Sequence, residues 1–230
     1  MWTELRTIVQ TVSEDPQCLV TVLTSAIDKG FTAGLDLKSQ IELQRHEHDP
    51  ARKAYTLRQH LLDFQGAISS LSKCRQPVIV AMHGLCLGLA VDIASACDVR
   101  IAAEDASFGI MEIDVGLAAD IGTLQRFPKI IGNDSLAREL SYTGRRFSAK
   151  EAKEMGFLSE VVKGSKTEVV SKAMEIAKMI ASKSPIALMS TKHLLNHARD
   201  HTVEEGLKYT AIWNAAMLQA SVCPQSRCWS

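Results

Sequence analysis

The chain has 230 residues, 46% hydrophobic and 23% charged, which is enough apolar mass for one domain with a buried core. Its 26 basic and 26 acidic side chains cancel, so no overall field recruits nucleic acid or an anionic membrane, and a small-molecule partner is expected. No apolar run reaches the roughly 20 residues of a membrane span, and the opening MWTELRTIVQTVSED does not read as a signal or transit peptide.

Trp2, Leu5, Ile8, Val9 and Val12 recur at helical spacing until Asp15-Pro16 breaks the pattern before a strand-like run from Cys18 to Thr24. A polar loop leads into FTAGLDL, and a helix is expected from Ala54 to Leu71. Pro77 to His83 reads as a buried strand, Gly84 and Gly88 bracket a turn into a helix carrying Asp92, and Val99 to Ala103 reads as the next strand, a βαβ rhythm. Farther on, Ser148 with Glu151 and Thr202 with Glu205 have capping-box spacing, Gly156 suits a helix C-terminus and Pro185 a first turn. Apolar stripes at Val169, Val170, Ala173, Ile176, Ala177, Ile180 and Ala181 and at Val203, Leu207, Ala211, Ala215 and Leu218 are expected to face core or a neighbouring subunit. The expected organisation is an α/β body over residues 1–184 followed by a helical region over 185–230.

Several chemistries are disfavoured by spacing. GLCLGLA lacks the G-x-G-x-x-G pattern of a dinucleotide site, and the chain contains neither a P-loop nor a G-x-S-x-G nucleophile elbow. The six cysteines are scattered, several within apolar runs, which favours buried thiols over a disulfide framework, and Cys223 and Cys228 lack a second pair to complete a zinc set. His193, His197 and His201 lie four apart but border Arg199 and Asp200, so a solvated face is expected rather than a metal site; His46 and His48 read as loop surface, and His83 as a hydrogen-bonded packing residue.

The stretch from Val78 to Gly122 is different, because it sets Asp92, Glu112 and Asp120 within an apolar, glycine-punctuated run. A carboxylate among Ala, Leu, Ile and Val must be paired, solvated or used in proton transfer. Asp92 has Ala90, Val91, Ile93 and Ala94 as neighbours and little room for a wet side. Glu112 and Asp114 flank Ile113 in a strand-like segment and are expected to diverge, and Asp120 has an alternative reading as the cap of the following helix.

FTAGLDL, the run PVIVAMHGLCLGLAVDIASACDVRIAAEDASFGIMEIDVGLAADIGTLQRFPKIIG and the helical KSPIALMSTKHLLN resemble the crotonase (enoyl-CoA hydratase/isomerase) superfamily. An Asp at 92, a Glu twenty residues on and an Asp eight further resemble its Δ3,5-Δ2,4-dienoyl-CoA isomerase branch, whereas ordinary hydratases of the superfamily carry Glu at the first two positions and no acid at the third. The resemblance implies an α/β fold of layered ββα units with a helical C-terminal region; relatives carry strands before the segment that matches Met1 and a further C-terminal helix where this chain reads SVCPQSRCWS, so the N-terminal strands are expected to be missing and the C-terminal end replaced. It also implies isomerisation of a 3,5-dienoyl-CoA to a 2,4-dienoyl-CoA by Glu112 and Asp120, with Asp92 in electrostatic support. The Leu35 and Leu89 amides form the implied oxyanion hole, and Ala33, Gly34, Asp36, Leu37, Gly88 and Ala90 are implied to contact the substrate. Leu89 stands where the family usually has Gly, which would narrow the pocket and strain the backbone if a positive φ is required. No metal or redox cofactor is implied, since CoA arrives with the acyl substrate; a trimer or hexamer and a peroxisomal or mitochondrial address are implied. The alternatives are a hydratase or monoene isomerase, and a truncated homologue without catalysis.

Overall fold

The computed structural model describes residues 2–35 and 49–219; Asp36, Leu37, His46, His48, Cys223 and Cys228 lie outside them. Helix α1 (Trp2–Glu14) leads to strands β1 (Thr21–Leu23) and β2 (Gly30–Thr32), and α2 (Pro50–Lys73) follows. The next unit is β3 (Val78–Met82), β4 (Leu85–Leu87) and α3 (Leu89–Ala96). Then come β5 (Val99–Ala103), β6 (Ser107–Gly109), a 3-10 turn (Glu112–Val115) and helices α4 (Thr123–Ile131) and α5 (Asp134–Thr143). The chain closes through β7 (Phe147–Ser148), α6 (Ala149–Glu154), β8 (Glu160–Val162), α7 (Lys166–Ala181), α8 (Pro185–Ala198) and α9 (Val203–Met217).

Strands β1 to β6 alternate between two sheets. One sheet has the order β1-β3-β5-β8 and is parallel throughout, with Val22 opposite Ile79 and Ile79 opposite Val99. The other has the order β2-β4-β6-β7, with β7 antiparallel to β6. The expected βαβ rhythm is therefore a ββα repeat, in which the short strand after each buried strand crosses to the second sheet.

Strand β3 is apolar on both faces because both are covered. Val78, Val80 and Met82 join the main core, while Ile79 and Ala81 pack on Val169, Ala173 and Ala177 of α7. The small side chains on α7 let its axis approach the sheet closely. The main core is closed by Phe108, Phe127, Phe147 and Phe157, whose ring centroids lie 5.1–6.3 Å apart and tie β6, α4 and β7 together. Every residue of α3 is buried.

Helix boundaries follow local chemistry. Asp49 caps α2 by accepting from the Arg52 amide, with Pro50 in the first turn, so the helix starts earlier than the apolar periodicity predicts. Thr202 and Glu205 form the expected capping box, and Ser184 with Pro185 starts α8. Ser148 accepts from the Glu151 amide, but the Glu151 carboxylate pairs with Arg145 instead of closing the box. The apolar stripe of α9 is not part of the core: Val203 (80% exposed) and Leu218 (81%), just past its end, face away from the fold, and α9 rests on α8 through Tyr209 and Trp213. An aromatic and polar packing face does not register as an apolar stripe.

Gly30 and Gly84 meet in an isolated antiparallel bridge where the first two ββ units cross. A Cβ on Gly84 would lie 2.5 Å from the Lys29 carbonyl oxygen, and its φ of 54° is itself unfavourable for other residues. Gly132 has a φ of 64° but open space around its Cβ position. Gly84→Ala is expected to destabilise the chain by at least about 2 kcal/mol more than Gly132→Ala, read from urea midpoints at constant m-value; equal losses would rule out the close approach.

Candidate active site

The site forms where two glycine turns abut. Gly88 (φ 54°, ψ −113°) ends β4, and its amide donates to the Gly109 carbonyl at 2.8 Å, which fixes the turn to β6. Gly34 (φ 105°) donates to Thr32 Oγ1 at 3.2 Å. A Cβ built on Gly88 would lie 3.7 Å from the Gly34 Cα, and one built on Gly34 would lie 3.5 Å from the Leu87 carbonyl oxygen. The amides of Leu35 and Leu89 follow these two turns, and no backbone carbonyl of the described residues accepts from either. The positive φ falls on Gly88, while Leu89 is the first residue of α3 and helical, so leucine carries no backbone strain there. Its amide stands at the positive end of the helix.

Ala33 is exposed beside this junction and Leu35 is half-buried. Ala90 is different, since it is fully buried within the main core. Helical geometry turns position 90 inward when position 89 starts the helix at the turn.

Glu112 reaches the same junction from the 3-10 turn, its Oε1 3.3 Å from the position a Gly88 Cβ would occupy. Its Oε2 is buried with no hydrogen-bond partner among the described residues. Burial raises its carboxyl above the ordinary glutamate range, and the charge of Asp120 raises it further. Asp114 points elsewhere and packs against Gly144. That divergence comes from the 120° step of a 3-10 turn, not from a strand, in which residues two apart would share a face.

Asp92 lies inside α3 and is 1% exposed. Its Oδ1 accepts from the Thr123 amide at 2.7 Å, supplying the cap that Gly122 cannot provide at the start of α4. Burial pushes its carboxyl up to about 7; the contact with Thr123 opposes that shift and the Glu112 charge adds to it. Asp120 does not cap α4. It sits exposed on the preceding segment, so the three acids are not uniformly buried as expected: Asp92 is enclosed, Glu112 half-enclosed and Asp120 open to solvent. Partial desolvation raises the Asp120 pKa, and His60 on α2 pulls it the other way. The Glu112 charge still acts on Asp92 and the Asp120 charge on Glu112.

Sequence spacing did not identify the residues that hold the Asp120 segment. Gln65 Nε2 donates to the Asp120 carbonyl at 2.7 Å, while Arg126 donates to the Ile121 carbonyl at 3.4 Å and to Ser69 Oγ at 2.7 Å. A Cβ on Gly122 would overlap the Arg126 guanidinium, only 1.8 Å from Nη1. The glycine at 122 is the one local signal for that packing.

The histidines divide in two. His83 is buried with Nε2 2.8 Å from the Ile27 carbonyl oxygen, a packing residue as expected. His193 and His197 are not simply solvated: His193 stacks on Trp213 at 4.0 Å between centroids, and His197 lies between His201 and Tyr209. Cys74, Cys86 and Cys97 are buried free thiols, and burial pushes Cys86 and Cys97 up to about 12.

Because the unfolded chain ionises Asp92 near its ordinary 3.8 and the folded chain near about 7, only the folded state holds that proton between these values. Its contribution to stability is complete below pH 3.8 and is lost as pH rises through about 7. Asp92→Asn keeps an acceptor for the Thr123 amide and removes the charge. The drop in unfolding free energy from pH 5 to pH 8, measured by urea denaturation, is expected to be at least about 1 kcal/mol smaller in Asp92→Asn; an unchanged drop would mean that the Asp92 carboxylate is not desolvated.

Residues 1–221 match the family profile described as enoyl-CoA hydratase/isomerase. The chain is 44% identical over 220 residues to the mitochondrial Delta(3,5)-Delta(2,4)-dienoyl-CoA isomerase of Homo sapiens, covering 95% of this chain and 66% of that protein. It is 43% identical over 210 residues to the peroxisomal enzyme of the same name from Arabidopsis thaliana, covering 90% of this chain and 74% of the relative. An enoyl-CoA hydratase from Bacillus anthracis superposes with a TM-score of 0.83 at 33% identity, over 95% of this chain and 80% of that one. With paired glycine turns, the carboxylate beside them and a match along nearly its whole length, the chain belongs to the enoyl-CoA hydratase/isomerase family.

Proposed function

We propose that the chain isomerises a 3,5-dienoyl-CoA to the 2,4-dienoyl-CoA, the activity named for its human and Arabidopsis relatives. The observation that carries this reading is the Glu112 carboxylate at the Gly34–Gly88 junction, with one oxygen buried and unpartnered. A thioester oxygen bound by the Leu35 and Leu89 amides would put C2 near Glu112. Glu112 takes the C2 proton, the electrons move into a dienolate whose charge rests on the thioester oxygen, and the two amides stabilise it. Asp120, farther along the ridge, delivers a proton to C6. Double bonds at 3 and 5 become double bonds at 2 and 4, with no change in oxidation state, so the chemistry needs only carboxylates and N–H donors and no cofactor beyond the CoA of the substrate.

Asp92 favours this reading over hydration. A hydratase of the type outlined by the sequence pattern uses two acids to activate water, but Asp92 is enclosed and its Oδ1 is engaged by the Thr123 amide. In our reading it tunes Glu112 through charge and holds α4, leaving Glu112 and Asp120 to exchange protons with the substrate. The exposed apolar residues of α9 support a homo-oligomer of the trimer or hexamer kind, and the names of the relatives support a mitochondrial or peroxisomal setting.

The reading is tested with a panel of 3,5-dienoyl-CoA and 2-enoyl-CoA thioesters followed by ultraviolet absorbance. Wild type is expected to generate the band of a conjugated 2,4-dienoyl thioester, and Asp120→Asn and Glu112→Gln to lose about 10²-fold or more in kcat. Hydration of 2-enoyl-CoA without the dienoyl band, unaffected by Asp120→Asn, would make the chain a hydratase. No turnover of any thioester by folded wild type would leave it a binding protein of the family.

A further inference from the structure

A cavity of about 890 Å³ opens between α2, α4, α8 and α9, and neither the Gly34–Gly88 junction nor Glu112 lines it. Its wall carries Lys73, Arg75, Arg126, Lys129, Lys192 and Arg199 against a single carboxylate, Asp200. Two of these cations are neutralised, Lys129 by Asp200 and Lys192 by Asp98 at 2.7 Å. The other four have no carboxylate within salt-bridge distance among the described residues. Burial lowers the Arg126 pKa, the Asp92 charge opposes that shift, and the Arg199 charge adds to it. Two N–H donors on the wall, Arg75 Nε and Trp213 Nε1, are buried with no acceptor.

Two buried N–H donors without acceptors cost free energy, and beside them Arg75, Arg126 and the exposed Lys73 and Arg199 make the space favourable for an acceptor-rich anion. A bare ion would leave most of this volume empty, and the space is in the range that holds small organic ligands. We propose that the cavity binds a phosphorylated small molecule, with Lys73 and Arg199 supplying charge at its rim and the Arg75 and Trp213 N–H groups donating to its oxygens. Arginine forks match phosphate oxygens in pairs, and the Trp213 ring, stacked on His193, offers a flat wall beside them. The phosphate belongs either to a separate metabolite or to the nucleotide end of a CoA thioester, and competition with CoA separates the two.

Pyrophosphate is the probe, titrated into the full chain by calorimetry with and without saturating CoA. Wild type is expected to bind it, with Arg199→Glu and Lys73→Glu, both at exposed positions, each weakening the dissociation constant by about 10-fold or more. Binding should also change tryptophan fluorescence, and Trp213→Phe should abolish that change. Binding unaltered by CoA supports a separate metabolite, whereas displacement by CoA would overturn the second site and make the probe a reporter of the substrate's own phosphates. No binding at about 5 mM pyrophosphate, or equal binding by wild type and both charge-reversed variants with native circular dichroism, would overturn the proposal outright. None of these readouts depends on turnover, so failure here leaves the isomerase reading untouched, and failure of that reading leaves this one intact.

Discussion

The hydrogen bond from the Thr123 amide to Asp92 Oδ1 is the constraint on which the site rests. It joins two helices that the chain separates by a strand pair and a 3-10 turn, and it does so with a carboxyl buried at the centre of α3. An unfilled amide at the start of α4 would otherwise face an apolar wall, because Gly122 has no side chain to cap it. Burying the acid is costly in isolation. Capping a helix offsets part of that cost, and the residual shows as a carboxyl that holds its proton to about 7. Fixing the start of α4 in turn fixes the segment just before it, which carries Asp120.

Packing explains why this constraint is rigid. Phe127 on α4 meets Phe147 and Phe157, which also bear on Phe108 of β6, and β6 receives the Gly88 amide at its end. One aromatic cluster thus positions both the helix after Asp120 and the strand that fixes the Gly88 turn. Close-packed aromatic side chains tolerate little displacement. Glu112, between these supports, is held near Gly88 while its unpartnered oxygen remains available to a ligand. The Asp120 segment has lighter restraints, chiefly Gln65 and Arg126, which suits an acid that must remain accessible.

The α8–α9 hairpin is built on another principle. Its contact is a ladder of His193, His197, Tyr209 and Trp213, and α9 has no fully buried residue. Such a layer gains from stacking more than from volume burial, so it adds less to stability than the β3–α7 contact. It nevertheless walls the cationic cavity, where Trp213 and Arg199 contribute from the two helices.

The amino-acid sequence by itself determined the buried strand β3, because it is an apolar run bounded by breakers, and the capping chemistry of α8 and α9, because Ser184-Pro185 and Thr202 with Glu205 act within one turn. It also marked Asp92 and Glu112, since acids in apolar surroundings are visible in one dimension, and the family motifs spanned the glycine turns. Only the tertiary structure decided that Ala90 belongs to the core, that Asp120 is open, that Asp92 caps a helix from another segment, and that Gln65, and Arg126 through Ser69, tie the loop to α2. Each of these depends on contacts between residues 30 or more apart or on which side of a helix meets its neighbour. Local periodicity carries no information about either, because it records what a segment must bury and not which partner buries it.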